Sequence, residues 1–180
     1  MTTTVSWYVL EPGLAANFHL TEHGKFFGAN RSSRDISNEV DLAHLIKLRS
    51  QADALLVGGA TARAEGYRPS KSFETYVFTT KPQNTELNPI EFGDDDGLVE
   101  RVGEVISAHK RVLSECGPAL LNKLLRLDLV NQLFLTVSFV EEPNKSSTEK
   151  SARNLLELDG YYLDKFEVVG NSALTLWRRA

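Results

Sequence analysis

Two short apolar runs in this chain each end in glycine, where a ligand could approach the backbone closely. The first run covers residues 54–57 and ends in Gly58 and Gly59, with Thr61 and Glu65 following closely. Glycine has no Cβ, so a phosphate or an aromatic ring can lie directly against its main chain. The pattern is typical of a buried strand opening into a ligand-binding loop, and the alternative is a tight turn between a strand and a helix.

The second junction follows residues 111–114 and consists of Glu115, Cys116, Gly117 and Pro118. Proline suits the first turn of a helix, and the free N–H groups at a helix start attract phosphate. Neither junction has the G-x-G-x-x-G spacing of a Rossmann site. Two such junctions in one small chain nevertheless favour a nucleotide cofactor, although both would also serve as simple turns.

Residues 19–23 match the H-x-x-E-H pattern of inverted zinc proteases, in which two histidines on one helical turn bind the metal. That interpretation needs a helix through His23, whereas Thr21 and Gly24 favour its end there. We therefore predict no metal site. Cys116 has no histidine close to it in sequence, and we expect a buried thiol rather than a nucleophile.

The elements that would position these residues alternate along the middle of the chain. Apolar spacing predicts helices, the first of them capped by Ser37, and β-branched or aromatic runs predict strands. The predicted helices are residues 37–51, 98–108 and 118–127, and the predicted strands are residues 54–57, 75–79, 111–114, 132–140, 161–169 and 173–178. Residues 21–34, 81–97 and 141–151 are polar and predict loops. The order indicates an α/β fold with a mostly parallel sheet, flanked by helices, and a C-terminal antiparallel hairpin around Gly170 and Asn171.

The composition limits the classes of function. A chain of 180 residues predicts one domain, residues 1–180, and the net charge of −4 argues against a nucleic-acid surface. A single cysteine favours a reducing compartment, and neither a secretory signal nor a membrane-spanning apolar stretch is recognisable. We therefore expect a cytoplasmic protein.

Residues 45–69 and the segment that begins at Glu115 resemble the reductase domain of riboflavin biosynthesis. The first contains Leu-Arg before the strand and a Gly-x-Thr-x-Arg-Ala-Glu loop after it; the second begins Glu-Cys-Gly-Pro where that family has Glu-Gly-Gly-Pro. The resemblance covers roughly residues 17–140. It implies a dihydrofolate-reductase-like fold, NADPH as cofactor, and a homodimer whose surface would come from residues 132–140 and the final hairpin.

The same resemblance implies roles for individual residues. Substrate contacts would come from Ser33, Arg49 and Glu115, whereas ordinary structure would make Arg49 a helix-end charge and Glu115 a surface residue beside a turn. Lys81 would face the 2′-phosphate that distinguishes NADPH. The implied cofactor-binding residues are Gly58, Gly59, Thr61, Glu65, Thr80, Lys81, Gly117, Pro118, Ala119, Leu120 and Leu121.

The chain departs from the family at positions that bear on the substrate. His23 stands where the family has aspartate, and no clear arginine for a substrate phosphate follows Pro69, for which Arg63 and Arg68 are candidates. The implied activity is reduction of 5-amino-6-(5-phosphoribosylamino)uracil by hydride transfer to C1′, with His23 and Glu115 as catalytic residues. The alternatives are a reductase of the same fold acting on another pterin-like or carbonyl substrate, and a non-catalytic NADP-binding protein.

Overall fold

A computed structural model of the protein describes residues 5–27, 37–81 and 85–180. Within these ranges eight strands and five helices alternate. The strands are β1 (Gly13–Thr21), β2 (Ala54–Gly58), β3 (Glu74–Thr79), β4 (Asn88–Glu91), β5 (Arg111–Ser114), β6 (Gln132–Ser138), β7 (Tyr161–Val169) and β8 (Ser172–Arg179). The helices are α1 (Glu39–Arg49), α2 (Gly59–Glu65), α3 (Asp95–Ala108), α4 (Pro118–Arg126) and α5 (Lys145–Leu155).

All eight of these strands belong to one sheet, in the order β4-β3-β2-β5-β1-β6-β8-β7. The pairs from β4 to β6 are parallel, and β8 runs antiparallel between β6 and β7. The predicted α/β class, the mostly parallel sheet and the closing hairpin are therefore confirmed. Because β1, β2, β3 and β5 are parallel, the loops that follow them emerge at one edge, which we call the carboxyl edge.

Helices cover both faces of the sheet because its central strands are apolar on both sides. On one face, α3, α4 and α5 pack over residues such as Leu56, Leu133 and Trp177. On the other face, α1 and the N-terminal segment pack over Leu55, Leu113, Phe134 and their neighbours. We call this second side the α1 face.

Several predicted boundaries were wrong. Asn38, not Ser37, caps α1, because its side chain accepts the Asp41 amide hydrogen. Strand β4 lies within the predicted loop 81–97, and α5 within the predicted loop 141–151. Both elements are polar on their exposed side, so their composition resembles that of a loop. The side chain of Asn144 caps α5 by accepting the Ser147 amide hydrogen.

The position of β6 bears on the predicted dimer. Residues 132–138 lie between β1 and β8, with both strand edges paired, so this segment offers no open edge to a second copy. The outer strand of the hairpin, β7, is the edge strand at this end of the sheet and exposes Tyr162 and Val168.

In the described ranges, no helix is long and apolar enough to cross a membrane.

Candidate active site at the carboxyl edge

The two glycine junctions meet at the carboxyl edge, where β2 and β5 are adjacent. Thr61 Oγ1, in the first turn of α2, accepts a hydrogen bond from the Gly117 amide at 3.1 Å. A Cβ on Gly117 would lie 3.3 Å from this same oxygen, which is a tight contact. A Cβ on Gly58 would lie 3.5 Å from Leu120 Cδ2. The residues of the two motifs therefore line one surface.

Helix α4 begins at this surface with Pro118 in its first turn. Its first backbone bond runs from the Leu121 amide to the Gly117 carbonyl, so the Ala119 and Leu120 amides have no acceptor within the helix. Such amides can bind a phosphate. Leu121 is different: its amide is bonded to the Gly117 carbonyl and its side chain is 1% exposed, packed in the core. Its predicted cofactor contact stays a prediction.

The remaining residues predicted to bind cofactor border the same edge. Gly59 is buried at the start of α2, and Glu65 is half-buried at its end. Thr80 and Lys81 are exposed directly after β3, and the Lys81 backbone is held by two hydrogen bonds to the Thr79 hydroxyl. These residues therefore follow the ends of β3, β2 and β5, with cationic Lys81 at the β3 end.

Glu115, Arg49 and Tyr67 form a polar cluster beside the glycine surface. Arg49 Nε donates to Glu115 Oε1 at 2.7 Å, and both Arg49 Nη2 and the Tyr67 hydroxyl donate to Oε2 at 2.5 Å. The Glu115 side chain is only 6% exposed, so it is not a surface residue beside a turn. Arg49 does more than complement the α1 dipole, because it neutralises a buried carboxylate.

This arrangement fixes the charges of the cluster. The bond to Glu115 raises the pKa of Arg49. Burial and the Glu115 charge raise the pKa of Tyr67, which remains a neutral donor. A carboxylate has about four lone-pair sites, and three donors occupy Glu115, so about one acceptor site remains for a ligand. Tyr67 is not among the site residues predicted from the sequence, although it directly follows Glu65 and Gly66 in the segment that resembles the family.

The structure does not bring His23 to this cluster. Its side chain is 76% exposed and lines a cleft of about 450 Å³ with Glu22, Gly24 and α5 residues Ser151, Asn154 and Leu155. Helix α5 packs on the face opposite α1, so His23 and Glu115 belong to different sides of the carboxyl edge. The catalytic role of His23 stays a prediction, and Ser33 lies outside the described residues.

A second polar cluster, not predicted from the sequence, lies on the α1 face. His19 Nε2 is 2.7 Å from Ser138 Oγ, and His19 Nδ1 is 3.3 Å from Asp41 Oδ2. Ser37 also donates to Asp41 Oδ2, at 2.9 Å. His19 lies on β1 rather than on a helix, so the geometry of the inverted zinc motif is absent here. Strand alternation is what turns His19 towards α1.

Cys116 is buried as predicted. Its side chain is 3% exposed and its Sγ lies 3.0 Å from Ser114 Oγ. Burial raises the pKa of this thiol to about 12, so it is protonated at neutral pH and a poor nucleophile.

The sequence matches no family model and no curated protein at a significant level. Solved structures do match it. A pyrimidine reductase-like protein from Corynebacterium diphtheriae has a TM-score of 0.69 and 18% identity, over 96% of this chain and 94% of that one. Dihydrofolate reductase from Enterococcus faecalis, complexed with NADP(H), has a TM-score of 0.63 and 15% identity, over 95% and 99%. The chain has the dihydrofolate-reductase fold.

A third protein with this fold is the diaminohydroxyphosphoribosylaminopyrimidine deaminase/5-amino-6-(5-phosphoribosylamino)uracil reductase of Thermotoga maritima. Its TM-score is 0.66 at 15% identity, over 94% of this chain and 57% of that longer one. The resemblance to riboflavin-pathway reductases is thus confirmed at the level of the dihydrofolate-reductase fold. In this chain, the two glycine motifs and Glu115 lie together at the carboxyl edge of the sheet.

Proposed function

We propose that this protein is an NADPH-dependent reductase of 5-amino-6-(5-phosphoribosylamino)uracil. The observation that carries the proposal is the contact of the two glycine junctions, through Thr61 and Gly117, next to buried Glu115. The three structural neighbours support a reductase, and the enterococcal one supports NADP(H) as the cofactor. We expect a cytoplasmic enzyme, with the homodimer as a further prediction.

The proposed cofactor-binding residues would contact different parts of the dinucleotide. The Ala119 and Leu120 amides would hold the pyrophosphate, Gly58 and Gly117 would let it approach, and Lys81 would face the 2′-phosphate. NADPH, when bound, supplies the hydride for C1′ of the substrate. The chain itself binds, orients and protects the reacting groups.

Glu115 would accept a hydrogen bond from the pyrimidine through its remaining acceptor site. Arg49 and Tyr67 hold the carboxylate in place, so its direction is set before substrate arrives. A pre-oriented acceptor avoids the entropic cost of ordering the side chain on binding. In this proposal Arg49 acts through Glu115 rather than by direct contact with the substrate.

The experiment that tests the proposal begins with NADPH titration followed by cofactor fluorescence. Replacing Gly117 by Val should abolish binding, because the side chain would fill the approach beside Thr61. Gly103→Val is the matched control, since Gly103 lies in α3 with nothing within 4 Å of its Cβ position. Unchanged NADPH affinity in Gly117→Val would defeat the cofactor assignment.

A second candidate function is a reductase of this fold with a different pterin-like or carbonyl substrate. His23 stands where the riboflavin-pathway reductases have an aspartate, and its side chain is exposed on the side opposite Glu115. This departure from the family favours a different substrate. NADPH oxidation should therefore be measured with the phosphoribosylaminouracil and, in parallel, with a pterin and a simple aldehyde. Oxidation with only one class identifies the substrate, whereas binding without any oxidation would indicate a non-catalytic NADP-binding protein.

A further inference from the structure

Residues 5–12, which we call the N-terminal strap, cross the α1 face before β1 begins and do not join the sheet. Val5, Tyr8 and Leu10 are at most 5% exposed, because they pack against apolar residues of α1 and the sheet. A segment without strand pairing needs other partners for its buried main-chain groups. In the strap, side chains of α1 and β6 provide those partners, and they differ in whether they can take up a proton.

The end of the strap next to β1 is fastened by carboxamides. The Leu10 amide donates to Gln51 Oε1 at 3.1 Å, and the Glu11 amide donates to Gln132 Oε1 at 2.8 Å. Carboxamide groups do not titrate, so these two bonds are independent of pH. Residues 10 and 11 are therefore held equally at neutral and at mildly acidic pH.

The start of the strap is fastened by a histidine. The Val5 amide donates to His44 Nε2 at 3.1 Å, and the Val5 carbonyl accepts from Lys47 Nζ at 2.6 Å. His44 Nδ1 lies 2.6 Å from the Val40 carbonyl, which can only accept, so Nδ1 carries the hydrogen and Nε2 is the acceptor. Both ring nitrogens of neutral His44 are thus satisfied.

A second proton on this ring has no acceptor. It would sit on Nε2 and point at the Val5 N–H, which turns a hydrogen bond into a contact between two donors. His44 is only 1% exposed, so water cannot replace the lost acceptor while the strap is in place. Protonation of His44 and its bond to Val5 are therefore mutually exclusive.

We propose that His44 is an acid-sensitive latch for the start of the N-terminal strap. The neutral ring holds Val5, whereas the protonated ring releases it and becomes accessible to water. Trp7, whose Nε1 donates to Glu167 Oε2 at 3.1 Å, limits the release to residues 5 and 6. The carboxamide bonds keep the strap attached at residues 10 and 11, so the change is local. This inference does not depend on the proposed reductase activity.

The surroundings of His44 favour its neutral form while the strap is closed. Burial is the largest influence and lowers the pKa of His44, and the Lys47 cation lowers it further. Tyr8, whose ring centroid lies 4.4 Å from that of His44, has its pKa raised by burial and stays neutral. Influences in the opposite sense, which do not outweigh burial, come from the Val40 carbonyl and the carboxylates of Asp41 and Glu167. Released His44 regains an ordinary pKa of about 6.5, so a fall in pH below that value favours release.

Hydrogen exchange of the strap amides tests the latch in the full chain. Between the released-state pKa and the lower closed-state pKa, each pH unit makes release about ten-fold more favourable. After correction for the intrinsic exchange rate, the protection factor of the Val5 amide should fall about 5- to 25-fold between pH 7 and pH 5. The Leu10 and Glu11 amides are internal references, whose protection should change less than about two-fold. Equal losses at all three amides, or no loss at Val5, would overturn the latch.

A variant and a tautomer measurement complete the test. His44→Gln keeps an oxygen acceptor near the Nε2 position but cannot titrate, so the protection of Val5 should change less than about two-fold. His23→Gln is the matched control, because the His23 side chain is 76% exposed, and its Val5 amide should behave as in the wild type. The wild-type exchange measurement decides alone if His44→Gln does not fold. ¹⁵N chemical shifts of His44 at pH 7 should show hydrogen on Nδ1 and none on Nε2. A proton on Nε2 at pH 7, or a loss of Val5 protection in His44→Gln equal to that of the wild type, would refute the proposal.

Discussion

Thr61 Oγ1 accepts the Gly117 amide hydrogen at 3.1 Å, and this bond joins two motifs that are 56 residues apart in sequence. It fixes the start of α4 against the first turn of α2. The ends of β2 and β5 are thereby held as one surface. A dinucleotide along this edge would contact both motifs together.

Loss of this bond should weaken cofactor binding. Thr61→Val keeps the shape of the side chain but removes the acceptor, leaving the Gly117 amide unpaired. We expect NADPH affinity to fall about ten-fold, the effect of about 1.4 kcal/mol. Fluorescence titration measures it, and Thr61→Ser should bind nearly as the wild type does. Equal affinity in Thr61→Val and the wild type would show that the junction does not position the cofactor.

The Tyr67 bond to Glu115 should contribute to stability. Tyr67→Phe removes one of the hydrogen-bond donors to the buried Glu115 carboxylate. Hydrogen bonds to charged groups contribute about 1.5–3 kcal/mol to the free energy of unfolding. Urea denaturation should therefore show a lower free energy of unfolding by about 1–2 kcal/mol. Tyr162→Phe is the matched control, because Tyr162 is 47% exposed on β7. A stability equal to that of the control would mean that the bond contributes nothing net.

Asp41 should make the fold sensitive to acid. Its pKa in the folded protein lies below the unfolded value of about 3.9, so its contribution is complete above that pH and is lost as pH falls through the folded value. Between pH 5 and pH 3 the wild type should lose more free energy of unfolding than Asp41→Asn. Exposed Asp96 provides the control variant Asp96→Asn, which should follow the wild-type slope. If the free energy of unfolding fell equally with pH in the wild type and in Asp41→Asn, the lowered pKa of Asp41 would be contradicted.

Cys116 should resist alkylation in the native protein. Burial and a pKa raised to about 12 leave little thiolate at pH 8, and the thiolate is the reactive form. Iodoacetamide labelling, followed by mass spectrometry, should be at least about 100-fold slower in buffer than in urea. Rapid labelling without denaturant would show that the β5–α4 junction opens readily.

The sequence predicted the elements whose patterns are local. The β-branched runs of β3 and β6, the leucines of α4 and the Gly170–Asn171 turn each carry their own signal, and their placement is confirmed. Strand β4 and helix α5 carry weak signals, because they are short or polar and gain their stability from packing against the rest of the sheet. The glycine motifs and the family resemblance could also be recognised in the sequence, because both consist of residues that are neighbours along the chain.

The partners of the site residues came only from the tertiary structure. Arg49, Tyr67 and Glu115 are separated by up to 66 residues, and their spacing carries no sign that they bind one another. His19 reads in sequence as part of a zinc pattern, yet the strand turns it towards Asp41 and Ser138. The reason is physical: local sequence determines which element forms, whereas side-chain contacts depend on the order in which the sheet brings distant strands together.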